Sequence, residues 1–139
     1  MSKATIIKPV VTELELPLYS TKVPAGFPSP AEEYLGDCLD LNQFLLKNPD
    51  SSFFARVEGD SMIDAGILAG DLVVIDRSIS AKDGHIVIAA IDNEFTIKRL
   101  STKDGIRLVP ENKKYNEIIL NGEVELVIWG VVTGLIRKF

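Results

Sequence analysis

Ile86-Val87-Ile88-Ala89-Ala90-Ile91-Asp92-Asn93-Glu94-Phe95-Thr96-Ile97-Lys98-Arg99-Leu100 decides the fold. Two runs rich in branched and aromatic residues flank Asp92-Asn93, a pair suited to the tight turn of a β-hairpin. Strands are therefore expected over 86–91 and 94–100. The same pattern extends outward. Ser52 to Val57 is rich in aromatic and branched residues, and Leu72 to Asp76 is a compact apolar run after Gly70-Asp71. Gly105 to Val109 and Glu123 to Ile136 complete the set. Short strands separated by turn signals predict a mainly β fold, with coiled sheets and a partly closed barrel.

Residues 1–30 have a different character. Pro9, Pro17, Pro24, Pro28 and Pro30 are five of the seven prolines, and such spacing denies a long helix. Leu14, Leu16 and Leu18 alternate with Glu13, Glu15 and Pro17, a period of two that suits an extended arm with one apolar edge. Two short helices are expected next. Ser29, Pro30 and Glu32 have the spacing of an N-cap, first helical position and capping-box partner. Asp40 repeats the signal with Gln43, Leu39 and Phe44 stand at the positions of a hydrophobic staple, and Asn48-Pro49 ends that helix.

At 139 residues the chain is one domain's worth, on a prior of about 150 residues per domain. Residues of the hydrophobic class make up 46%, enough for a core without a metal or disulfide. Cys38 is the one cysteine and His85 the one histidine, which excludes a disulfide framework and a Cys- or His-rich metal site. The formal charge of −5 argues against stand-alone binding to duplex DNA. Lys3 and Lys8 flank only Ala4 to Ile7, short of the about 7–15 apolar residues of a secretory signal. The longest apolar run, Ile86 to Ile91, falls far below the roughly 18 residues of a membrane span. A cytoplasmic protein is expected.

Two segments can carry chemistry. Glu58-Gly59-Asp60-Ser61-Met62 follows a strand, and its glycine permits a sharp turn that presents Ser61 beside backbone N–H groups able to stabilise an oxyanion. The backbone N–H groups of Ser61 and Met62 are the candidates for that role. Read alone, Gly-Asp-Ser is more often a plain turn. Lys98 lies on the second strand of the hairpin, where a lysine is commonly solvated. Its alternative is to act as the base that a serine nucleophile needs, since Ser-Lys pairs are a variant of the triad arrangement. For that, burial must lower its pKa from about 10.4 to near 7. His85 is the competing base, although a lone histidine at a strand end more often caps or faces solvent. Asp60, Asp64, Asp71 and Asp76 form a conceivable carboxylate cluster, but each stands at a turn or strand end where aspartate serves local hydrogen bonds. No metal or cofactor is expected, and Cys38 has no evident activating partner.

Taken together, four blocks carry a resemblance. Gly59-Asp60-Ser61-Met62, Gly70-Asp71-Leu72, Gly84 and Glu94-Phe95-Thr96-Ile97-Lys98-Arg99-Leu100 resemble, in order and spacing, the LexA/UmuD Ser-Lys autopeptidase family, peptidase S24. The resemblance covers about residues 26–139. It implies the fold shared with LexA and signal peptidases, Ser61 as nucleophile and Lys98 as general base. It also implies a scissile bond upstream, for which Ala25-Gly26 within Val23-Pro24-Ala25-Gly26-Phe27-Pro28 is the match. The expected division is a cleavable arm, residues 1–25, and a peptidase-like β domain, residues 26–139. Twenty-five residues are too few for the DNA-binding domain of the repressors. The resemblance is thus to UmuD-type members, and it runs also through Gly26-Phe27-Pro28-Ser29-Pro30 and Asp40-Leu41-Asn42-Gln43.

For such members the resemblance implies a homodimer that serves as accessory subunit of an error-prone polymerase in the SOS response. Cleavage is stimulated by the RecA filament on single-stranded DNA, and the shortened form joins a UmuC-type polymerase. Direct sequence-specific DNA binding and membrane association are not expected. Cleavage within one chain or between dimer partners both remain open. So does an arm that docks away from the cleft until RecA shifts it. Two other readings stand beside this one: a Ser-Lys peptidase acting on other proteins, and a non-catalytic β-barrel interaction module.

Overall fold

The structure, a computed structural model, describes residues 3–7, 15–19, 25–26, 35–120, 122 and 125–139. It divides into two compact units, residues 1–9 with 48–139, and residues 10–47. The first unit is one antiparallel sheet. Its strands are β1 (Lys3–Ile7), β4 (Ser52–Glu58), β5 (Leu72–Asp76), β6 (Ile86–Ile91), β7 (Glu94–Ser101), β8 (Arg107–Val109), β9 (Ile118–Ile119) and β10 (Leu126–Ile136). The second unit holds β2 (Glu15–Tyr19), β3 (Leu35–Asp40) and α1 (Leu41–Leu45).

The hairpin read from the sequence is the β6–β7 pair. Asp92 and Asn93 take φ of 48° and 67°, the left-handed conformation that a two-residue hairpin turn of this kind requires. The turn fixes the register Val87↔Lys98 and Ala89↔Thr96. Successive side chains of a strand point to opposite faces. On β6, Ile88 enters one apolar cluster with Val57, Met62, Val73 and Ile75, while Val87 and Ala89 enter a second with Leu100 and Leu108. Both faces of β6 are therefore covered, which is why its sequence is apolar without alternation.

The sheet order is β1-β4-β5-β10-β6-β7-β8-β9. The mainly β expectation holds, and the hydrogen-bonded ladder is open, with β1 and β9 as its two edges. Curvature comes from β10, whose pairing shifts register between Ile128 and Gly130 and again between Val132 and Gly134. Such irregularities bend a strand and increase its twist. Gly130 sits where a Cβ would come 2.5 Å from Cγ2 of buried Ile75, so this strand passes β5 too closely for a side chain. The curl brings β1 against β7 without closing the ladder between them.

In the second unit, the alternation around Leu16 does appear as a strand, paired antiparallel to β3 with an irregularity between Pro17 and Tyr19. Leu14 lies outside the described residues, and Leu16 is exposed. The helix expected after Ser29-Pro30 also lies outside them, and residues 35–40 are strand. The second expected helix is α1. Asp40 caps it by accepting from the Asn42 N–H at 2.9 Å. Phe44 is 71% exposed and buries little against a staple partner.

Candidate active site

The chain leaves β4 at Glu58 and turns at Gly59, whose φ of +82° is a conformation that glycine adopts without steric cost. Asp60 and Ser61 follow, and Met62 inserts, fully buried, into the first apolar cluster. The Met62 carbonyl accepts from the N–H groups of Ala65 and Ile67, so a 3-10 turn (Ile63–Ala65) closes behind it. A fixed Met62 leaves its neighbour Ser61 little freedom.

Lys98 arrives from β7. Thr96, Lys98 and Leu100 share one face of that strand, opposite Ala89 and Val87 of β6. This face belongs to the second apolar cluster, so the lysine stem lies in apolar surroundings. Its ammonium end meets three acceptors: Ser61 Oγ at 3.0 Å, Thr96 Oγ1 at 2.6 Å and the Ile97 carbonyl at 3.0 Å. Ser61 is 0% exposed and Lys98 2%.

Burial without a carboxylate partner among these contacts destabilises the charged amine, and the Lys98 pKa is lowered to about 8. At pH 7 about a tenth of the amine is then neutral, roughly 300 times the share of an ordinary lysine. The contact geometry serves both states. Three N–H bonds of the ammonium match three acceptors. In the neutral amine two remain as donors, and the lone pair is open to accept the Ser61 proton. The arrangement can thus take a proton from a serine hydroxyl.

The other candidates have different partners. His85 Nδ1 accepts from the Lys82 N–H at 3.1 Å and so caps its own loop. Asp71 is bound by Arg137 through both oxygens, at 2.7 Å each, and this contact outweighs burial to hold its carboxyl below the ordinary value. Burial opposes ionisation of Asp76, but hydrogen bonds from Asn48, Ser78 and Ser51 prevail and lower its pKa. Asp60 accepts from the Tyr115 hydroxyl. Asp64 is exposed, and Cys38 is exposed on β3. No cluster of three His, Cys, Asp or Glu placed to hold a metal is found among the described residues. Nor, among them, is any helix long and apolar enough to cross a membrane. Ala25 and Gly26 are exposed and lie in a bend of the second unit.

Sequence reasoning overlooked Thr96, although its position two residues before Lys98 on a strand placed it on the same face. It also overlooked Glu111, Asn112 and Tyr115. The Glu111 carbonyl accepts from Asp64 N–H at 2.8 Å, and Asn112 Nδ2 donates to the Asp60 carbonyl at 2.9 Å. Nothing local marks these residues, since their partners lie about fifty positions away in the chain.

Comparison with known proteins places the chain in a family. The pattern of the Peptidase S24-like family matches residues 17–133. Protein SamA of Salmonella typhimurium is 46% identical over 122 residues, which are 88% of this chain and 85% of SamA. Protein MucA of Escherichia coli is 44% identical over 119 residues, 85% of this chain and 82% of MucA. The LexA repressor of Clostridium novyi is 41% identical over 119 residues, 85% of this chain but 58% of the repressor. With the family pattern spanning most of the chain and a buried lysine set against a serine within it, this chain belongs to the Peptidase S24-like family.

Proposed function

We propose that this chain is a self-cleaving, UmuD-type accessory subunit of an error-prone polymerase, shortened at Ala25-Gly26 by Ser61 and Lys98. The observation that carries the reading is the buried contact between Lys98 Nζ and Ser61 Oγ at 3.0 Å. A solvated lysine would have no reason to sit there, and a turn serine would not need it. Membership of the family and the likeness to SamA, MucA and a LexA repressor support the same reading.

The mechanism uses the chain's own groups. Neutral Lys98 takes the Ser61 hydroxyl proton as Oγ attacks the Ala25 carbonyl carbon. The backbone N–H groups of Ser61 and Met62 stabilise the oxyanion. As the tetrahedral intermediate collapses, the Ala25–Gly26 bond breaks and Lys98 returns its proton to the Gly26 amine. Water then attacks the Ala25 ester, giving the Ala25 carboxylate and restoring Ser61. Tethering of the bond to its catalyst makes a modest rate sufficient, because each chain reacts once. The products are the arm, residues 1–25, and the body, residues 26–139. In the wider role the chain works as a cytoplasmic homodimer, responds to the RecA filament on single-stranded DNA, and joins a UmuC-type polymerase.

The test follows the intact mass of the full-length chain from pH 6 to 10 beside a Ser61→Ala control. Cleavage into 1–25 and 26–139 is expected from the wild type alone. Its rate should climb about tenfold per pH unit and level off above about pH 8, where Lys98 is neutral. Should the chain stay whole even with RecA, a nucleotide and single-stranded DNA, the non-catalytic module takes its place.

A further inference from the structure

We propose that Asn112 and Tyr115 are positioning residues for Ser61, gripping Asp60 so that the Asp60–Ser61 peptide is held in one orientation. The inference rests on the self-cleavage reading. Asp60 is held at both ends. Its carbonyl accepts from Asn112 Nδ2 at 2.9 Å and from the Ile63 N–H at 3.2 Å. Its carboxylate accepts from the Tyr115 hydroxyl.

A peptide unit is planar, so fixing the oxygen of residue 60 also fixes the N–H of residue 61 on the opposite side of the same plane. The grip therefore sets two parts of Ser61 together: the Cα from which Oγ projects, and the N–H proposed for the oxyanion. It is also tied to the strand that supplies the base. Glu111, next to Asn112, accepts from Arg99 Nε, and Arg99 adjoins Lys98 on β7. Through Asp64 N–H, the Glu111 carbonyl holds the turn behind Ser61 as well. Residues 110–115 thus brace the nucleophile's loop against the base's strand. A displacement of the order of 1 Å at the reacting atoms can cost about a hundredfold in rate. The Asp60 hydrogen bond raises the Tyr115 pKa, which favours the protonated phenol that donates to Asp60.

The experiment measures self-cleavage of full-length chains across pH 6 to 10. Tyr115→Phe and Asn112→Ala should each lower the plateau rate by between about tenfold and a hundredfold. The midpoint of the pH rise should stay near 8, since the Lys98 ammonium bonds to Ser61, Thr96 and the Ile97 carbonyl and its shift comes from burial. Asp60→Ala should lose as much as Tyr115→Phe, and the pair combined should lose no more than either alone. Asp60→Asn, which keeps an acceptor for the Tyr115 hydroxyl, should recover most of what Asp60→Ala loses. Thermal unfolding of each variant separates a lost grip from a lost fold. Wild-type cleavage matched within twofold by Tyr115→Phe and Asn112→Ala would overturn the inference alone. A wild-type chain that never cleaves overturns the self-cleavage reading and this inference with it.

Discussion

Lys98 is the residue at which stability and chemistry oppose each other. Its pKa is lowered from 10.5 to about 8 by burial. The unfolded chain therefore binds more protons than the folded one between those values, and stability rises with pH across that window. Well below pH 8 the lysine is charged in both states and the folded state bears the full burial cost, about 3 kcal/mol. Above 10.5 that cost is gone. In a Ser61→Ala background, which excludes the proposed cleavage, the unfolding free energy of the Lys98 chain relative to Lys98→Met should shift by about 3 kcal/mol in favour of lysine between pH 7 and 10.5. A difference that stays flat would mean an ordinary lysine. Lys98→Arg, with Ser61 intact, should be inert in self-cleavage through pH 10, because a guanidinium keeps its proton. The sequence allowed Lys98 to be singled out but not its burial, because burial depends on which strands lie opposite. Thr96 was nearer to hand, being fixed by strand alternation alone.

At the scale of elements, what the sequence made legible was what neighbours in the chain decide. The β6–β7 hairpin follows from two branched runs and a pair of turn residues, and its register then follows from the turn. Replacing Asn93 by Ala should destabilise the chain by about 1–2 kcal/mol, since alanine lacks asparagine's tolerance of positive φ. Gly130 gives a sharper test. Its Cβ would meet a fully buried Ile75 side chain that has nowhere to move, so Gly130→Ala should cost about 1–3 kcal/mol, read from chemical unfolding. Neither β1 nor β9 could be seen in advance. Each is a short edge strand whose existence depends on its partner, Phe54–Glu58 far along the chain for β1 and Arg107–Leu108, across an irregular loop, for β9. β3 was hidden for a similar reason. Gly36 and Asp37 are poor strand formers, and pairing with β2 outweighs their preference.

On the scale of the whole molecule, the proposed cut at Ala25-Gly26 would have a consequence set by topology. β1 lies on the amino-terminal side of that bond, yet it is the edge strand of the body's sheet, with Lys3↔Glu58 through Ile7↔Phe54 as its ladder. While the chain is whole, the tether keeps β1 at a high effective concentration beside β4. After cleavage residues 1–25 are held only by two short pairings among the described residues, β1 on β4 and β2 on β3, and strands so short have little stability of their own. The fragment should therefore leave at micromolar concentration, and β4 should become the new edge. Hydrogen exchange can follow this strand by strand. In an antiparallel sheet the amides of β4 alternate in direction, so one set, within Phe54–Glu58, faces β1 and the other, within Ser52–Arg56, faces β5. Cleaved protein should lose protection at the first set and keep it at the second, while the 1–25 peptide separates on gel filtration. Equal protection at both sets, with the fragment still eluting beside the body, would mean that β1 stays seated. In that case cleavage would alter only the segment between β1 and the cut. If β1 does leave, the body presents an unpaired strand edge that exists only after self-cleavage, and pairing with another extended chain there becomes a product of the reaction.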